Sequence, residues 1–207
     1  MADAIRNRDE LTKILNWLDA RNSKSNNTRI IASYCKFLAL TGLRHVDASA
    51  LTFEELHVNK VLRDSITVVQ SKALSHRLTK GQMYQKAKAA SEVTIVMTNQ
   101  LKDVIEELKI LQGEQGLLFR SQSRNAKGDA ITDRGIRDVL KACALDLELP
   151  YNLTVHSFRK GFGTILINEL GHSISSARDR LGHSSVAITD HYLARGIKPQ
   201  HAQEMHI

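Results

Sequence analysis

Five residues suited to handling phosphate occur in order along this chain. Arg44 closes Thr41-Gly42-Leu43-Arg44, and His156 and Arg159 bound His156-Ser157-Phe158-Arg159. His183 lies in Leu181-Gly182-His183-Ser184-Ser185, and Tyr192 follows it by nine residues. Together they make a kit for phosphoryl transfer that needs no metal. Such a reaction asks for a nucleophile, for charge to stabilise five-coordinate phosphorus, and for an acid at the departing oxygen. A tyrosine hydroxyl is a candidate nucleophile. A guanidinium presents planar, forked donors that match two phosphate oxygens, and it never deprotonates.

The elements that must position these groups are readable from periodicity. Leu11, Ile14, Leu15 and Leu18 recur at helical spacing, with Trp17 nearby. Arg21 to Asn27 is polar and predicts a loop. A more apolar helix is expected from Thr28, as N-cap, to Leu40, with Gly42 as its stop. Arg44 then emerges just past a helix end, where a side chain is held firmly yet faces a ligand. Leu51 to Val58, Ser65 to Gln70 and Glu92 to Met97 predict short strands. The link from Ser71 to Ser91 is long for a hairpin and basic, so a mobile or partly helical excursion is expected. Helices follow over Asn99 to Gln112, from a Thr132 cap to about Leu147, and from a Thr154 cap to Leu170 before Gly171. Shorter ones cover Ser175 to Leu181 and Val186 to Ala194. His156 and Arg159 are three apart on one predicted helix, so their side chains point the same way. The order predicts an α+β fold, mainly helical with a small antiparallel β-sheet.

Charge narrows the partner. A net charge of +7 fits a polyanion. Lys60, Arg63, Lys72, Arg77, Lys80, Lys86 and Lys88 fall in one segment opposed chiefly by Asp64. No apolar stretch approaches a membrane span, and the N-terminus lacks a signal peptide's apolar region, so a cytoplasmic protein is expected. Cys35 and Cys143 each sit in an apolar helical pattern and are expected to be small core residues in a reducing compartment.

In order and spacing, the motifs around Arg44, His156, Arg159, His183 and Tyr192 resemble the catalytic domain of the tyrosine recombinases, the phage integrase family. The resemblance runs from about residue 8 to Tyr192. It implies a single catalytic domain over residues 1–207, without the N-terminal core-binding domain that most members carry. It implies site-specific cleavage and rejoining of DNA through a 3′-phosphotyrosine on Tyr192, without cofactor or metal. Arg44 and Arg159 would neutralise the phosphate, His156 would accept the tyrosine proton, and His183 would hydrogen-bond a phosphate oxygen. The general acid of the family is a lysine in the turn after the second strand. Lys72 fits that place, with Lys80, Lys86 and Lys88 in the same excursion as alternatives. Asp47 matches an acidic position expected to orient Arg44. Lys160 stands where the family often has histidine. The partners implied are double-stranded DNA recombination sites, a homo-tetramer on that DNA, and no membrane.

Other readings weigh less. Leu170-Gly171-His172-Ser173 repeats the letters around His183, but Gly171 is expected to cap a helix and His172 lies too far from Tyr192. His172, His183 and His191 lack the spaced carboxylates or cysteines of a zinc site. A catalytically silent DNA-binding or architectural protein on the same fold is the alternative function.

Overall fold

The computed structural model describes residues 3–21, 25–123, 126 and 128–194, with the side chains of 191–194 excepted. Four helices and two short strands precede the longer strand pair. Helix α1 (Arg8–Ala20) starts at Asn7, whose side chain accepts the Glu10 N–H, and it buries Ile14 and Leu18. Helix α2 (Asn26–Thr41) starts at Ser25 rather than at Thr28. The hydroxyl of Ser25 accepts the Thr28 N–H, so Thr28 sits inside the first turn that it was expected to cap. Gly42 ends α2 in the left-handed conformation, at φ 64°. Helix α3 (His45–Ser49) follows, with Arg44 as its N-cap.

Half of the expected strand over Leu51 to Val58 is helix. Thr52 is extended and bridges Leu117, Thr52 and Glu55 form a reciprocal capping box that starts α4 (Phe53–Leu56), and β1 (His57–Val58) is extended again, paired with β2 (Val61–Leu62). The other two strands form as read. β3 (Ser65–Val69) pairs antiparallel with β4 (Glu92–Val96), Ser65 opposite Val96 and Val69 opposite Glu92. Ile66, Val68, Val93 and Ile95 turn inward, as period-two alternation requires. Between these strands stand α5 (Ser71–Thr79) and α6 (Tyr84–Ala89), so the excursion is helical.

Helices α7 (Asn99–Gln112) and α8 (Asp133–Asp146) begin at Thr98 and Thr132, whose hydroxyls accept the N–H groups of Leu101 and Gly135. Helix α9 (Val155–Asn168) has Thr154 as N-cap and ends two residues short of the expected Leu170. Gly171, at φ 67°, still turns the chain so that the His172 N–H returns to the Leu166 carbonyl. Helix α10 (Ile174–Leu181) ends at Gly182, and α11 (Val186–Ala194) closes the described chain.

The core lies where α2 packs against α1, α7 and α9. Tyr34, Phe37 and Phe119 meet edge to face at its centre. Cys35 and Cys143 are buried and free, as small core residues. Burial pushes the Cys143 thiol up to about 12 and that of Cys35 upward too, so neither is poised as a thiolate.

Candidate active site

Arg159 organises the site. It is 2% exposed, on the buried face of α9. Its Nη1 donates to the Gly42 carbonyl at 2.6 Å and its Nη2 to the Leu181 carbonyl at 2.5 Å. One guanidinium therefore ties together the ends of α2 and α10, and the chain beyond those ends carries Arg44 and His183. Helix C-termini expose carbonyls that a cation satisfies well.

The Leu181 carbonyl also accepts from Gln70 Nε2 at 3.0 Å. Gln70 is fully buried and immediately precedes α5. The segment that delivers Lys72 is thus joined to the same acceptor as Arg159. This close approach depends on Gly182: at φ 60°, a Cβ there would lie 2.3 Å from Gln70 Nε2. Gly42 faces the same constraint, since its Cβ would lie 2.4 Å from Phe162.

His45, which follows Arg44, is held at both ring nitrogens. The His45 ring hydrogen-bonds Tyr34 Oη through Nδ1 at 2.5 Å and Asp133 Oδ1 through Nε2 at 2.7 Å. Asp47, expected to orient Arg44, directs its Oδ1 to Ser71 instead, accepting the backbone N–H at 2.9 Å and the hydroxyl at 2.7 Å. Asp47 can do so because it is buried on α3, opposite the start of α5. Lys72 accordingly stands in the first turn of a helix anchored at Ser71, not in a tight strand turn.

Arg44, Lys72 and His183 line one cavity of about 380 Å³, and among the described residues no carboxylate lines it. Lys80 lines it as well, whereas Lys86 and Lys88, on α6, do not. A larger groove of about 620 Å³ between α1, α2, α7 and α9 contains none of the candidate residues. His156 is exposed, and partial burial together with the charges of Arg159, His45, Lys72 and Arg44 lowers its pKa. His183 is drawn down to about 3, first by burial and then by Arg159 and Arg44. It is a neutral imidazole at pH 7. Its Nδ1 lies 3.0 Å from Thr189 Oγ1, closer than the Ser185 carbonyl at 3.4 Å that competes for the same hydroxyl proton; when that proton is donated to Nδ1, the ring proton is left on Nε2, the tautomer able to donate to an anion.

Ile188 lines the same cavity, and Tyr192 follows it four residues on along α11, on the same helix face. The Tyr192 side chain lies outside the described residues. His172 is held near Ser176 and does not line the cavity. Lys160 is buried at 4% exposure beside Arg159. Gln70 and Ser71 were not anticipated from the sequence. Position alone could have flagged them, because they join the strand to the candidate lysine.

A phage integrase family model matches residues 7–196. The chain belongs to that family. Among curated relatives, tyrosine recombinase XerC of Anoxybacillus flavithermus is 37% identical over 68 residues, covering 33% of this chain and 22% of the relative. Tyrosine recombinase XerD of Listeria monocytogenes is 23% identical over 186 residues, covering 90% of this chain and 56% of the relative. Among solved structures, the XerH site-specific recombinase bound to palindromic difH substrate in a post-cleavage complex superposes with a TM-score of 0.65 at 20% identity. That match covers 93% of this chain and 50% of XerH, so the fold is that of this family's catalytic region. Measured on the two longer matches, this chain spans about half the length of its relatives.

Proposed function

We propose that this chain cleaves and rejoins DNA strands at specific sites through a covalent bond between Tyr192 and a 3′ phosphate. The observation that carries this reading is the cavity in which Arg44, Lys72 and His183 converge, lined by no carboxylate among the described residues, with Arg159 buried behind it and Tyr192 one helical turn beyond Ile188 along α11. A site of this charge suits an anion that gains charge as it reacts.

In the proposed step the Tyr192 hydroxyl attacks phosphorus as its proton passes to His156. The bond to the 5′ oxygen breaks, and that oxygen takes a proton from Lys72. Arg44 offers its fork to two non-bridging oxygens, and His183 donates from Nε2. Arg159 adds charge from below while it holds both helix ends in place. A 5′ hydroxyl from a partner strand then attacks the phosphotyrosine in the reverse sense and restores the tyrosine. Two duplexes each need two cleavages, so four copies of the chain would assemble on two sites. Double-stranded DNA is the partner, and among the described residues no helix is long and apolar enough to cross a membrane.

The test is a suicide duplex nicked beside the scissile phosphate, built from the junctions of the DNA element that encodes the chain. The parent should give a covalent adduct on a denaturing gel, insensitive to chelator, and Tyr192→Phe should give none while still binding. DNA binding without any adduct in the parent would instead support the silent architectural reading.

A further inference from the structure

The excursion between β3 and β4 contributes more to the cavity than a single lysine. From Ser65 to Ser91 the chain holds no aspartate or glutamate and five lysines and arginines. Within α5 and at its end, Lys72, Ala73, His76, Arg77 and Lys80 all line the cavity. Their spacing of i, i+1, i+4, i+5 and i+8 places them on one face. Lys72, His76 and Lys80 thus climb the helix in steps of about 6 Å.

Two further observations show that this face lacks a counter-charge. Among the described residues no carboxylate forms an ion pair with Lys72, Arg77 or Lys80. The Arg77 Nε is buried and has no hydrogen-bond partner there. A buried guanidinium donor without an acceptor is costly and is ordinarily satisfied. The helix itself gains little in return, since none of its residues is buried, and the like charges of Arg77 and Lys80 stand three apart, where they repel.

We propose that this face of α5 is a phosphate track. It holds the backbone phosphates of the DNA strand next to the one cleaved, with Arg77 and Lys80 as the principal contacts beyond Lys72. The proposal rests on the recombinase reading above, and it makes Arg77 and Lys80 binding residues that act on neighbouring nucleotides rather than on the reacting phosphorus. Contacts of this kind carry no sequence information and fix the register of the strand in the site.

The test uses the 207-residue chain and a 5′-fluorescein-labelled 30-base-pair duplex of arbitrary sequence, titrated by anisotropy between 50 and 200 mM NaCl. Each phosphate neutralised by a protein cation contributes about 0.9 to the slope of log affinity against log salt. Arg77→Ala/Lys80→Ala should therefore bind with a slope shallower by about 1.8, and Lys80→Ala alone by about 0.9. Lys80 is an exposed C-cap, so its removal leaves the fold intact. Lys13→Ala/Lys141→Ala, which removes two exposed cations from α1 and α8, should keep the parental slope. Hydrogen exchange should slow at the α5 amides when the duplex binds. An unchanged slope in the double variant, or an equal fall in the α1/α8 control, overturns the track while leaving the recombinase reading in place. A parent that does not bind the duplex at all overturns both.

Discussion

Asp47 and Ser71 are joined twice, the carboxylate Oδ1 accepting both the backbone N–H and the hydroxyl of the serine, at 2.9 and 2.7 Å. The pair bridges the helix after Arg44 and the helix that begins beside Lys72. It sets where the lysine ammonium stands relative to the arginine, and the geometry of proton donation depends on that distance.

If Lys72 protonates the leaving oxygen, Lys72→Ala should be severely slow on ordinary DNA and recover on a substrate with sulfur in the bridging 5′ position. A thiolate leaves without help, so recovery isolates the acid role from phosphate binding. Ser71→Ala should show a partial form of the same defect. It removes one hydrogen bond to a charged group, of order 1.5–3 kcal/mol, and its rate should also rise on the sulfur substrate. Equal damage on both substrates would make Lys72 a phosphate ligand. Rescue at Lys80 instead would move the proton donor two turns further along the same face of α5.

Arg44→Lys and Arg159→Lys should both slow cleavage by about 10²–10³, since an ammonium cannot reproduce the fork. They should part company in stability. Arg159 holds two buried backbone carbonyls, each bond to a charged group being worth about 1.5–3 kcal/mol, so its replacement should lower the urea midpoint clearly. Arg44→Lys should lower it less. Equal midpoints for the two variants would mean that Arg159 does not staple the helix ends.

Gly182→Ala should destabilise the protein and slow cleavage together. A left-handed backbone costs an alanine about 1–2 kcal/mol, and the new Cβ collides with Gln70. Gly171→Ala has a similar φ of 67° but meets nothing within 4 Å. It should show the backbone cost alone and keep its cleavage rate per folded molecule.

Acid should act through the two histidines. In the folded chain His183 releases its proton at about pH 3 and His156 at a lowered pH, whereas the unfolded chain holds those protons up to about 6.5. The unfolded state therefore binds more protons across that window, and stability rises with pH through it. The contribution is complete above pH 6.5 and fades as the pH falls towards 3. Melting temperatures followed from pH 7.5 to 4 should show a shallower decline for His183→Gln than for the parent. Parallel declines would place His183 in solvent.

The long helices were legible because their apolar residues repeat with one strong period and their caps are marked. Asn99–Gln112 is bounded as read, and Thr132 and Thr154 cap the helices expected of them. The error at Leu51 to Val58 came from weighing apolar content over local capping. Thr52 and Glu55 are spaced as a capping box, which starts four residues of helix between Thr52, bridged to Leu117, and the strand at His57. The convergence of Arg44, Lys72 and His183 in one cavity followed from motif order. What no spacing discloses is the shared carbonyl at Leu181, or Asp47 turning to Ser71, because each joins segments far apart in sequence through groups that ordinarily serve other ends.

The Leu181 carbonyl has a consequence for how the protein matures. Its two donors come from 22 and 111 residues away, and the Arg159 bond to Gly42 spans 117. Contacts so distant in sequence form late, after the entropy of closing long loops has been met. The arginine, lysine and histidine therefore come into register only when every helix around them has docked. A nascent or partly unfolded chain would hold these groups apart, so the proposed strand breakage would be withheld from DNA until folding is complete.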